Sequence, residues 1–312
     1  MAGDIIVVEA DRWDPSDVTE EMLQSLVDGG LLRPVTDSTR PEWIAPYGEP
    51  ELRPRDGYVV SFVSFHERGL GVPADRFMRA LTHYYGVELH NFNPNSVAQA
   101  AIFVAVCEGY LGIAPHWELW LHLFRAGHTT KPTGTSGKRK AARAGGCTLQ
   151  VRQDRLHLYI PAQLASSNRR WYMSWFYLRN DDGGLPPYTG RIVGSCPEKW
   201  KWGVPKVDQP KLEPLLEGLA RLRNHGLTVA VVVAAFHRWR VLPLMARQRR
   251  LFEMKPGEPI EGTRMSSSAL SEEEILRRVG ETVEAKLRGG NLTPIAMRPS
   301  RGFLSLVSRV PL

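Results

Sequence analysis

The sequence predicts an α+β fold in which helices predominate: a central helical bundle, a small antiparallel sheet inserted before the last large helices, and a peripheral C-terminal helix. Three observations carry this expectation. Apolar residues recur at helical steps through most of residues 57–125, short β-branched and aromatic runs separated by turn formers fill 147–178, and helical spacing returns after 212.

At the N-terminus, Thr19 supplies a capping oxygen ahead of Glu20 and Glu21, and Met22, Leu23, Leu26 and Val27 form one apolar face that Gly29-Gly30 closes. Residues 33–56 contain Pro34, Pro41, Pro46, Pro50 and Pro54, which remove backbone donors and favour extended chain. Residues 1–56 therefore read as a helix followed by a proline-rich arm.

Pro73 suits a first helical turn, and Phe77, Ala80, Leu81, Tyr84 and Tyr85 follow at helix spacing until Gly86. Asn93-Pro94-Asn95-Ser96 is turn and cap chemistry that leads into Val97–Tyr110, apolar on most sides and so expected at the centre. Pro115 opens another helix with the stripe Leu119, Trp120, Leu123 and Phe124. The block 57–125 is thus predicted to be a bundle of three or four helices.

Residues 127–146 are poor in apolar side chains and rich in Gly, Lys and Arg, which predicts a flexible basic surface loop. Cys147–Val151, Leu156–Ile160 and Arg170–Leu178 follow as candidate strands, with Trp171, Trp175, Trp200 and Trp202 expected to pack over their sheet. Asp181-Asp182-Gly183-Gly184 and Pro186-Pro187 break the chain, then Leu212, Leu215, Leu216, Leu219 and Leu222 restore the helical step, and Thr228 starts a buried helix expected to end near Pro243. These elements place one main domain over 57–265. In 266–312, Ser271 and Glu274 form a capping box before Leu276, Val279, Val283 and Leu287, but two heptads fall short of a coiled coil, so self-association by that route has little support.

Composition narrows the function classes. The 312 residues are 43% hydrophobic and 23% charged, ordinary globular usage, with a net charge of +7. A basic excess suits an anionic partner such as RNA or DNA and equally suits a solvated surface. The apolar runs 97–106 and 227–236 are half the ~20 residues of a membrane span, and the N-terminus lacks a secretory pattern. Three widely spaced cysteines, Cys107, Cys147 and Cys196, fit reduced thiols better than a disulfide framework. The expectation is an intracellular protein, nuclear or cytoplasmic, without a membrane partner.

Motifs for chemistry are sparse. Gly134-Thr-Ser-Gly137-Lys138 lacks phosphate-loop spacing, the cysteines lack the close spacing of a zinc knuckle, and no GxSxG elbow occurs. Asp154, Asp181, Asp182 and Asp208 are acids of the kind a metal-dependent nuclease or integrase needs, but they read as turn residues. His66-Glu67-Arg68, Cys107-Glu108 and His116 would form an acid–base cleft if the fold brought them together; hydrogen bonding between helices is the blander reading. The sequence therefore assigns no catalytic residue, metal site, cofactor or small-molecule ligand. It does carry two basic clusters. Lys131, Lys138, Arg139, Lys140 and Arg143 lie in the loop, where phosphate binding would gain by counterion release; Arg238, Trp239, Arg240, Arg247, Arg249 and Arg250 combine cations with a stacking surface. The run from Lys138 to Arg143 also has the composition of a nuclear-import signal.

The segments SFHERGLGVPADRF, HYYGVELHNFNPNS, CEGYLGIAPHWELWLHLF and GCTLQVR, followed by LYIPAQL, SSNRRWYMSWFYLRND, LPPYTGR, PEKWKWGVP and FHRWRVLPLMARQRRLFEM, carry a resemblance over about residues 19–265. They resemble the gypsy-type transposon domain of retroelement-derived plant proteins, found in grasses in large numbers. The resemblance implies a non-enzymatic protein of a gypsy-like long-terminal-repeat retrotransposon, with a Gag-like structural or nucleic-acid-associated role. A transposase or nuclease-like enzyme, and a degenerate copy without retained activity, stand as alternatives.

Overall fold

The computed structural model describes residues 13–29, 31–49, 52–72, 74, 76–132, 139–161, 170–181, 183–229, 232 and 273. The fold is α+β. Helix α1 (Glu20–Asp28) starts where Thr19 accepts the Met22 N–H and ends at Gly29, and its Leu23 and Leu26 are buried as the spacing predicts.

A three-stranded antiparallel sheet follows, formed by β1 (Trp43–Ile44), β2 (Tyr58–Phe62) and β7 (Trp175–Arg179), with β7 in the middle. The β2–β7 register runs from Tyr58 opposite Arg179 to Phe62 opposite Trp175. All of β2 and the first four residues of β7 are buried, so neither strand alternates apolar with polar. This corrects the expected all-helical block: 57–125 opens with a strand, because a run apolar on both faces carries no period to separate strand from helix.

After the short helix α2 (Val63–His66), α3 (Arg76–Tyr85) ends at Gly86, whose φ of +63° is the left-handed conformation that glycine adopts without strain. Asn93 Oδ1 accepts the Ser96 N–H at 2.8 Å to start α4 (Pro94–Val106). Twelve of its thirteen residues are buried, so it is the central helix of the fold. It runs on through a π turn at Cys107–Leu111 to Gly112. Helix α5 (Trp117–Leu123) packs aromatic against aromatic: Trp120 stacks on Phe124 with centroids 4.0 Å apart and meets Phe77 and Phe103 edge-on. Trp120 Nε1 donates to the Tyr85 hydroxyl and Trp200 Nε1 to the Tyr85 carbonyl, which ties α3, α5 and the 3-10 turn Glu198–Lys201 together.

Within the expected flexible loop 127–146 the structure places strands instead. Strand β3 (Phe124–His128) pairs antiparallel with β6 (Cys147–Val151), and β4 (Thr130–Pro132) with β5 (Arg139–Ala141); residues 133–138 lie outside the described residues. Cys147–Val151 is thus the strand its composition predicts. Leu156–Ile160 is not, since it follows a 3-10 turn and only Tyr159 and Ile160 turn inward. Helix α6 (Glu213–Asn224) buries Leu219 and Leu222, again as spaced. Apart from 229, 232 and Glu273, the helices expected from Thr228 and Ser271 lie outside the described residues.

Candidate nucleic-acid interface

The ribbon β4–β5 sets the geometry of the first basic cluster. Its register puts Lys131 opposite Lys140 and Pro132 opposite Arg139, so three cationic positions share two paired strands. Like charges directly opposite on a strand pair oppose pairing unless a counter-charge intervenes. Pairing nonetheless continues inward through Thr130 and Ala141, and Ala141 and Ala142 are buried at its base.

Arg143 belongs elsewhere. It is half-buried, and its guanidinium carbon lies 6.0 Å from the centroid of Trp13, a cation–π arrangement. Arg143 thus follows β5 and is not one of the ribbon's paired positions. Lys138 and the whole second cluster, Arg238, Trp239, Arg240, Arg247, Arg249 and Arg250, lie outside the described residues.

The groups considered for acid–base chemistry do not converge on a cleft. His66 is fully buried, with Nε2 2.9 Å from the Ser61 hydroxyl, and burial pushes its pKa down to about 4 although backbone bonding at Leu70 and Leu31 works the other way. Cys107 is fully buried too, and burial pushes its thiol up to about 12 against the opposing effect of the His116 backbone. That is the reverse of what activates a nucleophile. His116 caps α5 by accepting the Leu119 N–H at 3.2 Å.

The acids are likewise dispersed and occupied. Asp154 faces Arg155, Asp208 faces Lys211, and Asp181 is 2.8 Å from both Arg40 and Arg179. Asp182 lies outside the described residues, and among those residues no three His, Cys, Asp or Glu side chains gather as a metal set. A small surface groove at Leu32, Arg33, Glu42, Trp43 and Arg179 is crossed by the Arg179–Glu42 ion pair of 3.2 Å.

One buried polar cluster was not foreseen. The Glu88 carboxylate accepts the N–H and hydroxyl of Thr189, while the Asn91 amide donates to the Arg191 carbonyl at 2.9 Å and the Asn91 Oδ1 accepts the Glu88 N–H. His90 sits among them under Tyr188, 4.9 Å between ring centroids, and Trp13. The cluster staples residues 88–91, whose Glu88, His90 and Asn91 are buried, to 188–191, and its hydrogen bonds are made within the chain, which marks it as structural.

The tryptophan expectation divides. Trp175 lies in the sheet, Trp171 packs 4.7 Å from Phe62, and Trp200 is buried, but Trp202 is 60% exposed. The only sequence signal for this was its setting, Lys199-Trp200-Lys201-Trp202, where residues two apart on a tight turn cannot share a face.

Residues 59–128, from β2 to the end of β3, match the model of the family described as "Putative gypsy type transposon". Neither a curated protein nor a solved structure matches the chain. No helix among the described residues is long and apolar enough to cross a membrane.

Proposed function

We propose that the chain is a non-enzymatic protein of a gypsy-like long-terminal-repeat element with a Gag-like, nucleic-acid-associated role. The family match over residues 59–128 supplies the transposon relation. The nucleic-acid part rests on one observation, the register that sets Lys131, Arg139 and Lys140 on the paired strands of a single ribbon. A polyanion bound along such cationic positions gains by releasing its condensed counterions, without reading sequence. The burial of Cys107 and His66, and the separate ion pairs of Asp154, Asp181 and Asp208, favour this reading over a transposase or nuclease-like enzyme.

A salt titration of single-stranded RNA binding tests it. Because Arg143 is engaged by Trp13, the informative variant neutralises Lys131, Lys138, Arg139 and Lys140 together. Its log-affinity against log-salt slope is expected to fall by roughly three units, at about 0.7 per phosphate contact on a single strand. An unchanged slope, or no binding by the wild-type protein at low salt and micromolar concentration, overturns the reading.

A further inference from the structure

The loop carrying Trp202 has the features of a built surface. The Trp202 N–H donates to the Lys199 carbonyl at 3.2 Å. Arg152, at the end of β6, donates from Nη2 to the Trp202 carbonyl at 2.6 Å, from Nη1 to the Lys201 carbonyl at 2.9 Å and from Nε to the Leu121 carbonyl at 3.1 Å. Two residues earlier Trp200 anchors the turn, 2% exposed and bonded through Nε1 to Tyr85. The backbone on either side of residue 201 is therefore fixed, yet Trp202 is 60% exposed and its ring stacks on no ring of the described residues.

Leaving an indole in water forgoes one of the largest apolar burials a side chain offers. A chain that pins the backbone beneath such a ring holds it out for a partner. The surroundings indicate which kind: Lys199, Lys201, Lys206 and Lys211 stand within ten residues of the ring in sequence, against Glu198 and Asp208. Glu198 pairs with Lys201 and Asp208 with Lys211, leaving an excess of two positive charges on the segment. The cores of protein interfaces are depleted in lysine, whereas an aromatic ring amid lysines fits a strand whose bases stack and whose phosphates carry charge. A duplex hides its base faces, so the strand must be unpaired.

We infer that Trp202 is a stacking platform for an unpaired base of single-stranded RNA, with Lys206 meeting a flanking phosphate. The inference rests on the nucleic-acid reading above but on a different face of evidence from the β4–β5 ribbon: stacking depends on the base, ribbon binding on the phosphates alone.

The test compares the full chain with its Trp202→Ala and Trp202→Phe variants, using the fluorescence anisotropy of labelled oligouridine and of a matched abasic strand. Wild type is expected to bind oligouridine about tenfold more tightly than the abasic strand, Trp202→Ala to lose that preference, and Trp202→Phe to keep most of it. Because the ring is exposed, thermal unfolding of both variants is expected to match wild type, which separates lost stacking from lost folding. Persistence of the preference in Trp202→Ala overturns the inference while leaving the ribbon reading in place. Loss of salt dependence in the ribbon variant with the base preference intact separates the two in the other direction. A wild-type protein that binds neither strand removes both. A Trp202→Ala variant with unchanged RNA affinity but altered molecular mass assigns the ring to an interface between copies of the chain and overturns the inference.

Discussion

Replacing His66 by glutamine is expected to flatten the acid limb of the stability curve. In the folded protein burial holds the imidazole near pKa 4, while in the unfolded chain it returns to about 6.5. The folded pKa is the depressed one, so the stability contribution is fully present above pH ~6.5, falls as the pH drops because the unfolded state takes up a proton first, and levels off below about 4. Between pH 6 and 5 the integrated loss is ~1.2 kcal/mol for this one residue, close to the limit of about 1.4 kcal/mol per pH unit for a single proton. His90 is a poorer choice: burial lowers it to about 4, opposed by its bond to the Arg191 backbone and helped by the Arg143 charge, and its Nδ1 also lies 3.3 Å from the Glu88 carboxylate, so a substitution there disturbs more than one group. Glutamine at 66 can still bond the Ser61 hydroxyl and does not titrate. Urea unfolding of both proteins at pH 6 and pH 5, followed by the fluorescence of the nine tryptophans, isolates the effect, since the other histidines cancel in the difference. The variant starts less stable, and its loss on acidification is expected to be smaller than wild type's by ~1 kcal/mol. Parallel losses, within ~0.3 kcal/mol, would refute the claim that His66 is neutral and sealed.

Three other outcomes follow from the same packing. Gly145 has a φ of +77°, and a Cβ there would stand 2.8 Å from the Trp171 ring and 3.3 Å from Asn93 Cβ, so Gly145→Ala is expected to lower unfolding stability by about 2 kcal/mol in urea titration. Of the three thiols, Cys107 and Cys147 are buried with raised pKa values and Cys196 is partly exposed, so a colorimetric thiol reagent should label one cysteine rapidly in native protein and three after denaturation. A fragment of residues 57–128 is expected to show no cooperative thermal transition by circular dichroism, because β2 finds its strand partner in β7 and the Tyr85 carbonyl its side-chain donor in Trp200.

What the sequence disclosed is what short-range chemistry decides. Thr19 and Asn93 cap their helices because the acceptor and the N–H it serves are three residues apart, and Gly86 ends α3 because the left-handed turn is a property of that residue. The failures share a different physics. Tyr58–Phe62 is buried on both faces, which erases the alternation that announces a strand, and its pairing partner lies at 175–179. Residues 130–141 look like linker by composition, yet backbone pairing needs no apolar side chains once β3 and β6 have brought the chain ends together.

The candidate site was legible to the same extent. Charge composition marks the basic segment as a stretch rich in cations, but assigning each cation a task requires knowing what else is near it. Arg143 faces Trp13, 130 residues away in sequence, while Arg139 and Lys140, four and three residues before it, are paired positions of the ribbon. Trp200 and Trp202 make the same point with a single residue type. One is held by the Tyr85 carbonyl and the other is held out by Arg152, contacts spanning 115 and 50 residues respectively. A tryptophan's identity says that it can fill a core or present a stacking face. Only the long-range donors that fix the backbone beneath it decide between the two, which is why the exposed ring, and not the more conspicuous run of lysines and arginines, is the feature that the folded chain adds to the sequence.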